Sequence, residues 1–269
     1  MGGAAFRLGR AALGAFSWLA VAYLALPLVV IVGVSVTETA YLRFPPQGFT
    51  LKWYGEFLKD PSYLGAIWTS ASLAVAATLL ALAMGVPAAL VLARSEFLGR
   101  RALGAFFLSP LVLPAIVLGA ALLQYASLLG IARTYGAILI GHIVLVIPYV
   151  LRTTLASLAG FDLSLEEAAR DLGASALQAF FRVTLPIIKP GIVAGGIFAV
   201  IISWINVEVS MFNTTAALMT IPVKLFNYIQ YSVDPSIAAI SAATIYVAVI
   251  VVVLLDLTVG IDRITASNR

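Results

Sequence analysis

Six long apolar stretches, nearly free of charge, constrain this chain more than any other feature: roughly Ala15 to Val36, Ala66 to Ala93, Leu103 to Tyr125, Tyr135 to Leu151, Gly191 to Phe212 and Ile237 to Gly260. A bilayer core of about 30 Å needs about 20 apolar residues per helical span. The fourth stretch is the shortest and contains His142 and Pro148. With 62% hydrophobic and only 10% charged residues, a chain of 269 residues has no polar shell with which to meet water, so the bilayer must supply the shell. The expected fold is an all-α integral membrane protein of about six transmembrane helices, forming a single domain over residues 1–269.

Orientation follows Lys and Arg in short loops rather than net charge. Placing the amino terminus inside also puts Arg7, Arg10, Arg94, Arg100, Arg101, Arg152, Arg170, Arg182, Lys189, Arg263 and Arg269 inside, eleven residues. Only Arg43, Lys52, Lys59, Arg133 and Lys224, five residues, then face outside. Both termini are therefore expected in the cytoplasm. The first span follows two arginines, yet it is long and lacks a small-residue cleavage pattern before Thr37, so it reads as an uncleaved anchor. In the external loop from Thr37 to Gly65, Pro45-Pro46 precede Trp53, Tyr54 and Phe57 at helical spacing, which predicts a short interfacial helix with an aromatic belt.

Several chemistries are excluded. The absence of Cys removes disulfides and thiolate sites, and the lone His142 cannot build a multi-histidine metal cluster. There is no phosphate loop of the form G-x4-G-K-[ST], no H-E-x-x-H and no G-x-S-x-G, so neither ATP hydrolysis nor those enzyme classes belong to this chain. The net charge of +4 is spread over loops, and nucleic-acid binding is not indicated.

One stretch is conspicuously polar. "LEEAARDLGASALQAFFRVTLPIIKPG", Leu165 to Gly191, lies in the predicted cytoplasmic loop 162–190 and carries three acids and three bases between Glu166 and Pro190. Ser164 with Glu167, and Ser175 with Gln178, have the spacing of capping boxes. Gly173 stands between them, where a helix end favours a residue free to take positive φ. Pro186 and Pro190 are expected to stop the second short helix and start the fifth span. Two short helices meeting at a glycine, with small Ala168, Ala169, Ala174 and Ala176, form either a docking knob for another protein or an amphipathic loop on the headgroups.

Glu167-Ala168-Ala169, three residues, Gly173, nine residues, then Val183-x-Leu185-Pro186 resembles the E-A-A-x3-G-x9-I-x-L-P signature of type I ABC importer permeases, with Val183 replacing Ile. "SPLVLPAIVLGAALL", "GHIVLVIPYVLRTTLASL" and "DPSIAAISAATI" are similar to the spermidine/putrescine-type branch. The resemblance implies the permease fold, a bacterial-type inner membrane location and no cofactor bound by this chain, with ATP and Mg on a cytoplasmic ABC ATPase dimer. It also implies a second permease subunit, expected to differ from this chain, and an extracytoplasmic solute-binding protein. On this resemblance Glu167 is the polar anchor in the ATPase groove, Ala168, Ala169 and Leu172 the packing face, Gly173 the bend, and Leu185-Pro186 the end of the signature. An ion-coupled secondary transporter or channel is the alternative class.

The fifth stretch ends in "SWINVEVSMFN", Ser203 to Asn213, where Glu208 places a carboxylate in a span expected to be apolar. Such a group is a functional candidate, or else sits at the helix end and reaches headgroup water. Trp204 and Glu208 are four apart and, on a helix, share a face suited to an ammonium group. Ser203, Asn206 and Ser210 form a polar stripe beside them, with Gln124, Tyr125 and His142 as further lining candidates. The polyamine branch tends to carry acids at the positions of Ile205 and Asn206, a departure that counts against a polyamine and leaves amino-acid-like, phosphonate-like or other small polar solutes open beside a polyamine-like one.

Overall fold

A computed structural model describes residues 2–259, with the side chains at both extremes of that range left undescribed. Arg7, Arg263, Arg269 and Gly260, which entered the orientation count and the sixth span, lie outside the described residues or side chains. The structure is helical, with no strand among the described residues. In chain order it comprises α1 (Gly2–Val34), α2 (Lys52–Lys59), α3 (Pro61–Arg94), α4 (Arg100–Leu108), α5 (Ala115–Leu128) and α6 (Tyr135–Ala159). There follow α7 (Ser164–Asp171), α8 (Ala176–Ala179), α9 (Leu185–Ile205), α10 (Ile221–Ile229) and α11 (Pro235–Val259). Among the described residues four helical stretches, Gly9–Val34, Pro61–Arg94, Tyr135–Ala159 and Ala176–Ile205, are long and apolar enough to cross a bilayer, and a bent pair raises the number to five.

That bent pair corrects the third predicted span. Instead of one helix from Leu103 to Tyr125, α4 and α5 meet at 107°, joined by a 3₁₀ turn over Ser109–Leu111. Pro110 and Pro114, four apart, each lack the N–H that an α-helix would bond to the preceding turn, and together they break it. Pro114 instead becomes the residue that precedes α5. The fifth span is corrected at both ends. It begins before Gly191, since α8, a π turn over Phe180–Thr184 and α9 run on as one helical stretch, Ala176–Ile205. Leu185 N–H bonds back to Phe180 C=O, so the wider turn accommodates Pro186 rather than ending there. The span also stops at Ile205, well before Phe212.

Two compact units are present. The first holds the residues up to Pro61 with Asn227–Val247. Here α2 does not display its aromatics: Trp53 and Phe57 are buried, Trp53 Nε1–H donates to Thr37 C=O at 2.8 Å, and the Tyr54 hydroxyl meets Ser35 Oγ at 2.7 Å. Burial raises the pKa of the Tyr54 phenol. The chain folds its aromatic belt inward because each polar ring tip finds a partner within the unit.

The second unit, Ser62–Phe226 with the chain from Ala248, contains the polar loop and the fifth span. Its centre is the pairing of α6 with α9. A Cβ on Gly195 would lie 2.8 Å from Val150 Cα, and one on Gly191 would lie 2.5 Å from Thr153 O, so the two backbones approach to a distance that only glycine permits. This is the small-x3-small contact by which helices associate where lipid removes any hydrophobic gain. Around it, Ala77 and Ala81 of α3, Val146 and Val150 of α6 and Ala199 of α9 form one buried cluster. Ala89, Leu92, Leu151, Leu158 and Ile188 form a second.

Candidate functional site

Two groups of polar residues stand out, one in the 162–190 loop and one where α9 ends.

In the loop, α7 and α8 are joined through Gly173, whose φ of +91° is the left-handed conformation expected of it. Ser175 caps α8 as a full capping box, its hydroxyl accepting from Gln178 N–H while the Gln178 amide oxygen accepts from Ser175 N–H. The first expected box is absent: Ser164 already lies within α7 and makes no cap. Asp162 serves instead, its carboxylate accepting from Ser164 N–H at 3.0 Å, a bond that holds the acid below its ordinary pKa. Two residues before the helix, Asp162 reaches an orphan N–H that the Ser164 hydroxyl cannot.

The two adjacent glutamates face opposite ways. Glu167 is exposed, beside exposed Ala168 and half-buried Ala169, and Leu172 is 90% exposed. Glu166 is the only buried residue of α7. Its Oε2 lies 2.9 Å from Arg94 Nη1 and accepts from Thr184 Oγ1–H at 2.7 Å, and its Oε1 accepts from Arg170 at 3.1 Å. Arg94 also donates to Thr184 Oγ1 at 3.3 Å and lies 5.4 Å from the Phe161 ring centre. The Thr184 hydrogen bond, with Arg94 and Arg170 behind it, lowers the Glu166 pKa against the opposing effect of burial. Leu185 is half-buried and Pro186 exposed at the start of α9.

At the other end of α9, Asn206 leaves the helix with φ −71° and ψ 127°. Its Oδ1 accepts from Val209 N–H at 3.0 Å and Ser210 N–H at 3.3 Å, offering the backbone a turn in place of the next helical bonds. Trp204 and Glu208 consequently do not share a helix face, which corrects the arrangement drawn from their spacing. Trp204 is buried, while Glu208 is exposed and accepts from Asn206 Nδ2–H at 3.2 Å.

Four sequence candidates do converge here. His142, 1% exposed, places Nδ1 2.6 Å from Ser203 Oγ and Nε2 2.8 Å from Ser210 Oγ, and Ser210 Oγ–H donates to Asn206 C=O at 3.2 Å. The proton arrangement that uses every one of these bonds has Nε2–H donating to Ser210 and Nδ1 accepting from Ser203. The segment after α9 is seated tightly: a Cβ on Gly119 of α5 would lie 2.6 Å from Glu208 O, and one on Gly141 of α6 would lie 2.8 Å from a Val209 methyl. Buried Asn213 accepts from Arg133 N–H at 3.1 Å, where Arg133 has φ 58°. Gln124 and Tyr125 are exposed on α5, outside this cluster.

Two cavities lie in the same unit, one of about 630 Å³ beside Arg100, Arg101 and Leu158, the other of about 260 Å³ beside Phe107, Pro110 and Ile143. Neither is lined by the His142 cluster. Among the described residues no group of three or more His, Cys, Asp or Glu is placed to hold a metal.

Residues 85–263 match the family described as binding-protein-dependent transport system inner membrane component. The chain is 30% identical, over 246 residues, to the spermidine/putrescine transport system permease protein PotC of Escherichia coli (strain K12), covering 91% of this chain and 93% of that protein. It is 34% identical, over 189 residues, to the molybdate/tungstate transport system permease protein WtpB of Pyrococcus abyssi (strain GE5 / Orsay), covering 70% of each. In fold it is similar to a chain in the crystal structure of a bacterial ABC transporter involved in the import of the acidic polysaccharide alginate, with a TM-score of 0.70 at 21% identity, covering 93% of this chain and 95% of that one.

Proposed function

Since the chain belongs to the family of binding-protein-dependent transport system inner membrane components, we propose that it is the membrane-spanning subunit of an ATP-driven importer for a small polar solute, polyamine-like before amino-acid-like. It sits in the bacterial inner membrane with the loop 162–190 and both termini in the cytoplasm. It works beside a second, different permease subunit, takes solute from an extracytoplasmic binding protein, and binds no ATP itself. ATP and Mg belong to a cytoplasmic ABC ATPase dimer that docks on the loop.

The observation that carries this reading is the division of the loop into an anchored inner side and an open outer side. Glu167, Ala168 and Leu172 are exposed around a glycine turn, Leu172 at 90%, so a carboxylate and an apolar side chain are offered together beside the bend. A groove on the ATPase accounts for it: Leu172 and the alanines supply close apolar contact and Glu167 a charge for a donor. Closure of the ATPase dimer then moves the loop as a rigid element, and the helices follow between outward-open and inward-open states.

The polyamine preference rests on the relative at 30% identity and on Glu208, an exposed carboxylate at the end of α9. The experiment is uptake of radiolabelled spermidine into proteoliposomes holding this chain, its partner permease and the ATPase, with the binding protein supplied outside the ATPase face. Uptake that requires ATP is expected. Uptake driven by an ion gradient without ATP refutes the importer reading, and ATP-dependent uptake of an amino acid but not spermidine refutes the polyamine preference.

A further inference from the structure

The loop has a hold on the membrane helices that its docking surface does not explain. In a helix as short as α7, burial of one apolar face is the usual means of attachment. Here Leu163, Leu165 and Leu172 are all exposed, and the one buried side chain is Glu166. The attachment is therefore ionic and hydrogen-bonded. It closes a triangle in which each member bonds the other two: Glu166 Oε2 with Arg94 at 2.9 Å and Thr184 at 2.7 Å, and Arg94 with Thr184 at 3.3 Å. The corners come from three elements, the last residue of α3, the body of α7 and the π turn that leads into α9.

We propose that Arg94, Glu166 and Thr184 form a joint that makes α7, the end of α3 and the base of α9 move as one body, so that displacement of the loop reaches the membrane helices through Glu166. The inference rests on the importer reading above. Glu166 touches neither solute nor nucleotide, so it is a positioning residue, and its role differs from that of Glu167 one position along. Each corner of the joint is held by the other two, and its carboxylate is the most enclosed part, the Glu166 side chain being 10% exposed and that of Arg94 26%. Arg170, 53% exposed and four residues along the same helix, adds an ordinary surface pair. It links α7 only to itself, so its loss does not open the joint. Phe161 stacked near Arg94 holds the guanidinium from the remaining side.

The test uses the whole reconstituted importer with spermidine as the probe. In Glu166→Gln and Thr184→Val, the ATPase stays bound, because Glu167, Ala168 and Leu172 are untouched, but ATP consumed per spermidine carried rises by about 2- to 30-fold, the range by which residues that link two sites alter their coupling. Arg94→Gln combined with Glu166→Gln is no worse than either alone, since both open the same triangle, and Arg170→Gln leaves the ratio near wild type. A wild-type ratio in Glu166→Gln overturns the joint, and so does loss of ATPase binding equal to that of Glu167→Ala, which makes Glu166 a docking residue. A measurement on the unmutated triangle covers variants that fail to insert. Spin labels at exposed Val91 of α3 and exposed Leu165 of α7 keep one separation with and without ATP, and a separation that changes overturns the proposal. A wild-type complex that carries no spermidine counts against the solute assignment and leaves the spin-label test in force.

Discussion

Replacing His142 with Phe tests whether the cluster at the end of α9 holds the segment Asn206–Asn213 in place. The ring of Phe fills similar space but returns nothing to Ser203 and Ser210, whose hydroxyls sit 2.6 and 2.8 Å from the two imidazole nitrogens. Both serines are buried, at 3% and 0% exposure, so water does not replace the lost partners. Hydrogen bonds between helices of membrane proteins contribute about 0.6 to 1.7 kcal/mol each. Two lost bonds therefore cost about 1 to 3 kcal/mol. For a chain of this size 1 kcal/mol shifts the melting temperature by about 2 to 4 °C, so a fall of about 2 to 12 °C is expected. The assay is thermal unfolding of the purified chain in detergent, followed by intrinsic fluorescence. His142→Leu combined with Ser203→Ala and Ser210→Ala removes both sides of each bond and is expected to recover most of the loss. A melting temperature unchanged in His142→Phe would falsify the bonding scheme, and a triple variant less stable than the single one would assign the loss to packing instead.

Gly195→Leu drives side-chain atoms into Val150, whose Cα lies 2.8 Å from the glycine's virtual Cβ, and should cost about 1 to 3 kcal/mol by forcing α6 and α9 apart, read as a fall in melting temperature. Gly173→Val places a β-branched residue at φ +91°, at a cost of about 1 to 3 kcal/mol confined to the loop, so the chain should insert normally while ATPase pull-down weakens; normal insertion with wild-type pull-down contradicts the docking role. A cysteine at Gln178 should react with an impermeant maleimide only after the membrane is opened, and labelling from outside intact cells contradicts the orientation. The depressed pKa of Glu166 means that its stabilisation is complete above the ordinary value near 4.5 and is lost as pH falls through the lower folded value. The hydrogen-exchange protection factors of residues 162–190, taken relative to the intrinsic rate at each pH, should therefore be flat from about pH 7 to 5 and fall only at more acid pH.

Hydropathy reads spans well because a run of about 20 apolar residues has one physical use: α3 ends at Arg94, next to the expected Ala93, and α6 starts at Tyr135 as expected, although it runs on past Leu151 to Ala159. It reads breaks poorly. Pro27, Pro87, Pro148 and Pro190 all sit inside helices here, so a proline within an apolar run does not mark an interruption. Spacing alone does not separate Pro110 and Pro114, since Pro186 and Pro190 are also four apart within one helical stretch; the difference is local, a π turn ahead of Pro186 and a 3₁₀ turn around Pro110. The end of α9 was hidden for a different reason. Val207, Val209 and Met211 continue the apolar run, and the helix stops only because the Asn206 amide takes up two backbone N–H groups. Asparagine inside a span has that option, but nothing in its neighbours says whether it is used.

The candidate sites divide along the same line. Ser203, Asn206, Ser210 and His142 were legible as polar residues in apolar surroundings, and burial obliges such residues to find partners. Which partner each finds depends on how α6 and α9 pack, and Gly191 and Gly195 set that contact from a distance along the helix. The glutamate pair shows the limit more sharply. Adjacent residues on a helix point about 100° apart, so of Glu166 and Glu167 at most one faces the groove between α3 and the π turn. Of the two, the structure turns Glu167 outward and Glu166 inward. An inward carboxylate on a helix with no apolar face persists only if cations and donors meet it. Arg94, last residue of a helix that begins more than thirty positions earlier, is the cation that meets it. The outward position of Glu167 and the inward anchorage of Glu166 thus divide the helix between two tasks: its exposed side stays open whether or not the Arg94 contact holds, and that contact ties α7 to the membrane helices.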